Sequence, residues 1–403
     1  MNFTTRHLKV LLVCLSLGLL VPPSEAGPAG PPIRIGGTLA LTGPLGPTAP
    51  IHKITGEIYV EQLNKQNGLL GRPVEWILLD DQSKPDVTRS LYERLITVDK
   101  VDLLIGPYGT GAILSAMAVA QRYQKLLIHH SFGIPRLAKY EMHFSAVPFG
   151  IEPEKTFPNK LYDALASTGR PPKTIAIVTS KFPSIHFMSV GARDVAAKRG
   201  INVVLYLEYE FGNRDFMPIA ARIKEANPDF VWVGALGVDG NLLLEALKKL
   251  DYTPRGHFYL YPAPGPLVKA PEGKFAFAFA TFEEHPPFTE NPAVAEFVRL
   301  FREGATKVGL PYPVVETQAS GSYAAWQLLE AAVTATKSLD DKALAQWLKT
   351  NKVDTILGKA RFDGPNNYGD DLSKIKQAQD GRWVVVWPKE WAAPGTRLVY
   401  PMR

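Results

Sequence analysis

The sequence predicts an α/β protein built from two doubly wound parallel sheets, and three observations carry that reading. Short apolar runs of strand length alternate with longer stretches whose apolar residues recur at helical spacing. The unit Val101–Leu137 is a compact example. It reads as a strand (Val101–Ile105), a loop holding Gly106, Gly109 and Gly111, a helix marked by Leu114, Met117, Ala118 and Gln121, then a second strand (Leu126–His129). The same order restarts after Pro148, where Phe230–Gly234, Gly237 and a helix echo Leu103–Gly106, Gly109 and a helix.

In chain order, Ile33–Leu41 is the first strand, and the turn-rich loop Thr42–Pro47 follows it. Ile54, Ile58 and Leu63 mark a helix that closes at Asn67-Gly68, and Val74–Leu79 is the next strand, ending in Asp80-Asp81. Ser83 is a candidate cap for a helix with Pro85 in its first turn and Val87, Leu91 and Leu95 on its inner face. Beyond Pro148, helices are expected at Lys155–Ala166, Ser184–Arg199, Ile219–Ala226 and Leu242–Leu250, with strands at Thr174–Thr179, Val203–Leu207 and Phe230–Gly234. Phe275–Phe282 alternates aromatic and small residues as a strand does, and Glu283–Pro287 reads as a linker. The helices Val294–Val308 and Gln318–Thr336 are expected to return to the first half. Ile375–Gln379 and Arg382–Trp387 form a terminal hairpin through Asp380-Gly381.

At 403 residues the chain has room for two domains, and 46% hydrophobic with 21% charged residues is ordinary globular composition. Its 34 prolines and 33 glycines therefore punctuate loops. Arg6 and Lys9 precede an apolar run, Val10–Val21, and a small-residue site ending at Ala26, which is the pattern of a secretory leader. Cys14 lies inside that apolar run. A mature chain beginning near Gly27 would contain no cysteine, hence no disulfide, thiolate metal site or cysteine nucleophile. Removing the leader takes the formal net charge from +6 to +5, spread along the chain without an arginine-rich helix, so no nucleic-acid partner is expected.

In a βαβ unit, ligands sit beyond the C-terminal strand ends and face helix N-termini. Tyr108-Gly109-Thr110 and Ser131-Phe132-Gly133 would thus form two lips of one site. His129 and His130 cannot chelate together, because adjacent strand residues point to opposite faces; His130, nearer the loop, is the better ligand contact. The same alternation splits Asp80 from Asp81, which suit capping and loop roles. Glu283-Glu284-His285 has metal-like composition without metal-like spacing, so no metal is expected. The Gly106–Gly111 loop lacks the dinucleotide fingerprint and the P-loop lysine, and no nucleophile elbow or His-Glu-x-x-His is present. No cofactor and no catalysis are expected.

Taken in order, Ile35-Gly36, Leu41-Thr42-Gly43-Pro44, Asn67-Gly68, Gly71-Arg72-Pro73, Asp80-Asp81-Gln82-Ser83, Ile105-Gly106-Pro107, Phe230-Val231, Gly358–Gly364 and Gln379–Pro388 resemble the periplasmic solute-binding proteins of ABC transporters, of the branched-chain amino acid type. The resemblance covers Ile33–Trp387. It implies a type I periplasmic-binding fold with two lobes joined by a three-crossover hinge: residues 33–147 and 284–370, and residues 148–283 and 371–403. It also implies a periplasmic location, a small-molecule ligand, a membrane permease as partner, and a monomer. In that family the two lips named above hold the ligand carboxylate; Thr110 keeps its hydroxyl, whereas Gly133 replaces the threonine of amino-acid binders. The second lobe usually supplies two tyrosines and an acidic residue, where this chain has about Ser184, Leu236 and Pro262. A desolvated ammonium needs an acidic or carbonyl partner. What surrounds the cleft is Tyr108, Phe132, Phe182 and Leu236, with Thr110, His130, Ser131 and Ser184 as polar groups and Gln318 or Thr317 as a further contact. The expected ligand is a non-amino carboxylate such as an aromatic acid. A branched-chain amino acid or an amide, a cytoplasmic ligand sensor of the same fold, and an enzyme are the competing readings.

Overall fold

The computed structural model describes residues 27–262 and 266–402; the leader read from residues 1–26 lies outside them. The first half alternates strictly: β1 (Ile33–Leu39), α1 (Ala49–Lys65), β2 (Val74–Asp80), α2 (Pro85–Thr97), β3 (Leu103–Ile105), α3 (Thr110–Tyr123), β4 (Leu127–His129) and a short β5 (His143–Ser145). These strands make an all-parallel sheet in the order β2-β1-β3-β4-β5. Every residue of β3 and β4 is buried, as an inner parallel strand covered on both faces requires.

The second half continues with α4 (Pro153–Ala166), β6 (Thr174–Ser180), α5 (Pro183–Lys198), β7 (Asn202–Tyr209), α6 (Met217–Ala226), β8 (Phe230–Gly237), α7 (Asp239–Lys249), β9 (His257–Pro262), α8 (Pro266–Lys269) and β10 (Phe277–Ala280). Side-chain alternation in β8 divides two cores. Phe230 and Trp232 join Phe157 and Met188 of α4 and α5, whereas Val231 and Val233 join Ile223, Leu243 and Leu247 of α6 and α7. The Trp232 indole nitrogen, buried on the first face, donates to Ser189 Oγ at 3.0 Å.

The chain then runs through α9 (Pro292–Lys307), α10 (Thr317–Thr336), α11 (Asp341–Thr350), the small hairpin β11 (Val353–Thr355) and β12 (Gly358–Ala360), and finally β13 (Lys374–Gln379) and β14 (Arg382–Trp387). Asn291 caps α9 by accepting from the Ala293 amide at 2.9 Å. Its buried stripe Val294, Phe297, Phe301 and Ala305 follows the 3-4 spacing of an amphipathic helix. α9 and α10 do pack back onto α1: Trp326 meets Tyr59 and Trp76, with ring centroids 6.0 and 5.5 Å apart. The terminal hairpin joins the second sheet, giving β14-β13-β10-β9-β8-β6-β7 with β13 and β14 antiparallel.

The chain therefore passes between the two α/β units at 146–152, 281–291 and 361–373. Phe149 and Asp371 form an isolated antiparallel bridge between the first and third of these crossings. The second contains Glu283–Pro287, the stretch that reads as a linker, and its acidic side chains are buried and paired. Lys376 of β13 bonds Glu283 at 2.7 Å and Glu316 at 3.0 Å, with all three side chains no more than 4% exposed. Burial and the neighbouring Glu316 charge outweigh Lys376 and push Glu283 up to about 8. Glu284 pairs with Arg302 and accepts from the Val315 amide, and His285 accepts from the Val385 amide at 3.1 Å. These three side chains point to three different partners, and no cluster of three metal-ligating residues occurs among the described residues.

Ser83 does not cap α2. Lys84 occupies the cap position, and Ser83 Oγ instead donates to the Thr42 carbonyl and accepts from the Leu45 amide. Asp80 and Asp81 likewise serve the loop: Asp80 accepts from Thr42 and Gln82, and Asp81 from Thr38 and Ser83.

Candidate functional site

The C-terminal ends of strands from both sheets open onto one cavity spanning about 590 Å³, its solvent mouth included. From the first unit, the loop after β3 contributes Tyr108 and Gly109, α3 opens with Thr110, and the loop after β4 contributes His130, Ser131 and Gly133. From the second come Phe182 and Ser184 at the start of α5, Leu236 at the end of β8, and Tyr261 on β9. Thr317 and Gln318 at the start of α10 complete one wall, and the Gln318 side chain partly offsets the burial of the Tyr108 hydroxyl. Burial nonetheless pushes the Tyr108 phenol up to about 12.

The two units meet tightly here. A Cβ built on Gly133 would lie 3.1 Å from Ser184 Cβ, and one on Gly109, whose φ is +95°, would lie 4.0 Å from the Phe182 ring. Gly133 therefore has a packing reason to depart from the family's threonine: Ser184 fills the space that a threonine side chain would need.

Three helices begin at the cavity wall, at Thr110, Pro183 and Thr317. The first amides of each have no intrahelical partner, and each helix dipole puts partial positive charge at that end. Among the described lining residues there is no Asp, Glu, Lys or Arg. Asp371, the carboxylate whose charge Tyr261 senses, is already held by Lys160 at 3.1 Å. Several buried polar atoms of the lining have no protein partner: both ring nitrogens of His52, His130 Nδ1, Tyr261 Oη and Thr317 Oγ1. Buried polar groups are normally paired, so this concentration marks a surface built for another molecule.

Phe132 does not line the cavity. Its side chain is fully buried edge-on to His129, and its carbonyl accepts from the Tyr368 hydroxyl at 3.0 Å, so it supports the loop from behind. Pro262 ends β9, its backbone in register with Gly237, and its side chain lies outside the described residues. His129 and His130 diverge as alternation requires: His129 faces His143 at 3.1 Å, and His130 stacks on His52. Sequence reasoning misses His52, Tyr261 and Phe149 as lining residues. Pro50 near the start of α1 is a usable sign that the helix begins early enough to carry His52. The aromatic alternation of His257–Tyr261 is a usable sign of β9. Phe149 sits on an irregular crossing and gives no sign.

Two α/β units with facing strand ends, three crossings and one shared cavity define a solute-binding protein of the type I periplasmic-binding fold. The chain belongs to the periplasmic binding protein family, which matches it over residues 32–381. A "Leu/Ile/Val-binding protein homolog 7" from Brucella abortus is 26% identical over 416 residues, covering 96% of this chain and 98% of that protein. The crystal structure of a leucine binding protein from Thermotoga maritima superposes with a TM-score of 0.73 at 18% identity, covering 88% of this chain and 97% of its own. An ABC-transporter solute binding protein from Rhodopseudomonas palustris, in complex with benzoate, gives a TM-score of 0.73 at 19% identity, covering 92% and 99%. The chain is thus a solute-binding protein of the ABC-transporter type and not an enzyme. Such proteins bind small ligands and work with permeases. Among the described residues no helix is long and apolar enough to cross a membrane.

Proposed function

We propose that this protein binds a small organic anion without an ammonium group, a planar carboxylate of the aromatic-acid type, and delivers it from the periplasm to a membrane permease. The observation that carries this reading is the pairing of three helix N-termini with an uncharged, aromatic-walled cavity. Backbone amides at the starts of α3, α5 and α10, with the hydroxyls of Thr110, Ser131 and Ser184, suit a carboxylate. Tyr108, Phe149, Phe182 and Tyr261 suit a flat apolar body. A ligand ammonium would meet no carboxylate in the wall and would be desolvated at a cost of several kcal/mol. The benzoate-bound relative is consistent with the same ligand chemistry.

In this reading residues 33–147 with 284–370 form the lobe that first holds the ligand, and residues 148–283 with 371–403 close over it through Phe182, Ser184, Leu236 and Tyr261. Bound ligand shifts the open–closed population toward the closed form, which docks on the permease. Removal of the leader at Ala26 places the mature chain outside the cytoplasm. A thermal-shift and calorimetric screen of residues 27–403 against aromatic acids, aliphatic acids, amides and branched-chain amino acids tests the proposal. Stabilisation by aromatic acids is the expected result. Stabilisation by leucine or valine, with none by non-amino acids, overturns it and favours the activity named for the Brucella and Thermotoga relatives.

A further inference from the structure

One wall of the cavity carries an uncharged polar pair whose chemistry a carboxylate and an apolar ring do not satisfy. His52 comes from the first turn of α1 and His130 from the loop after β4, yet their rings stack at 4.7 Å and 27°, and the His52 ring centroid lies 4.5 Å from that of Tyr108. The two histidines are 1% and 4% exposed and both line the cavity. Neither ring nitrogen of His52 has a protein partner, and neither does His130 Nδ1. Desolvation holds His52 well below its usual pKa and His130 at about 4, so both rings are neutral near pH 7.

A neutral imidazole has one N–H and one bare lone pair. His52 offers one donor and one acceptor, and His130 Nδ1 offers one or the other, all without a protein partner. The pair therefore presents at least one unpartnered donor and one unpartnered acceptor within a single stack. A carboxylate, which only accepts, can use an N–H and leaves the bare lone pairs unmatched. An apolar ring edge can use neither kind of site and would leave all of these buried nitrogens unpaired.

A hydroxyl both donates and accepts, and it fits. We infer that the ligand carries, besides its anionic end, a neutral O–H group received by His52 and His130, which makes it a hydroxylated organic acid, phenolic when the body is aromatic. This rests on the organic-anion reading above and narrows it.

The test compares benzoate, its three monohydroxy isomers and their methyl ethers by calorimetry on residues 27–403, with leucine alongside. At least one hydroxy isomer is expected to bind about tenfold or more tightly than benzoate and than its own ether, which keeps the oxygen but loses the donor. His52→Phe, which keeps a ring in the stack, is expected to abolish that ratio; His130→Phe does the same and serves should the first variant fail to fold. Equal binding of hydroxylated and plain acids overturns the inference and leaves the anion reading standing, as does a hydroxyl advantage that survives both substitutions. Binding of leucine with no binding of any benzoate overturns both.

Discussion

Replacing Lys376 with methionine removes the cation between Glu283 and Glu316 while keeping most of the side-chain volume. All three groups are 4% exposed or less, so neither carboxylate can turn to water. Burial and the Glu316 charge already push Glu283 well above its usual range, toward holding a proton even beside Lys376. Losing the ammonium requires a second. Protonating a carboxyl of ordinary pKa 4.5 at pH 7 costs about 1.36 kcal/mol per unit, or about 3.4 kcal/mol, which sets the scale of the loss. At pH 5 the same step costs only about 0.7 kcal/mol. Lys376→Met is therefore expected to lower the unfolding midpoint by about 4 °C at pH 7 and by only about 1 °C at pH 5. Calorimetric or fluorescence-monitored unfolding of both proteins at the two pH values measures this directly. A penalty equal at pH 5 and pH 7, or smaller than about 1 kcal/mol at pH 7, would refute a buried, proton-sharing triad.

Gly133→Thr places a side chain against Ser184 Cβ, 3.1 Å from the new Cβ, so closure is expected to suffer: ligand affinity falls about tenfold or more while the ligand-free midpoint stays within about 2 °C; unchanged affinity would show that the units do not meet there. His130, His143 and His257 are each depressed to about 4 by burial, and His52 and His129 are well below their usual value. A folded pKa below the unfolded 6.5 gives stability that is complete above pH 6.5 and lost as pH falls toward 4. The midpoint is therefore expected to drop steeply between about pH 6.5 and pH 5, and a flat profile would contradict the burial of these rings. Gln377, fully buried, donates to the Phe275 and Val399 carbonyls and accepts from the Val399 amide. Gln377→Leu should cost about 1–3 kcal/mol and loosen the backbone at Val399 enough for trypsin to cut at the already exposed Arg397, and an uncut tail would show that other contacts hold it.

Much of the fold can be read from periodicity because the buried strands are short apolar runs and the helices carry clean stripes. In Thr174–Ser180 and Phe230–Gly237 the interior of each strand is apolar and buried, so pattern and structure agree. Where they part, the causes are physical. β5 is three residues long and begins with a histidine; β9 opens with His257, whose polarity is absorbed by the Tyr259 hydroxyl at 3.0 Å. The polar run Glu283–His285 reads as a linker because its compensating partners, Lys376, Arg302 and the Val385 amide, lie 18 to 100 residues away in sequence. At the site, Tyr108, Thr110 and Ser131 follow from the rule that ligands gather at strand ends and helix starts, and Ser184 follows from the family resemblance. His52 escapes the rule because it comes from the side of a helix start rather than from a strand end. Phe132 defies it because a loop residue between two lining neighbours can face inward, as its full burial edge-on to His129 shows.

The strand order of the second sheet has a consequence for synthesis. Its β10 edge is completed by β13 and β14, and α9 and α10, which pack back onto α1 of the first unit, are made only after most of the second sheet. A chain emerging from its N-terminus thus reaches residue 145 with a first unit that lacks these two helices, and residue 280 with a second sheet that lacks its last two strands. Each unit is therefore completed by segments made late in the chain. Under the export proposed above, that ordering would help keep the early segments threadable while the rest of the chain is made.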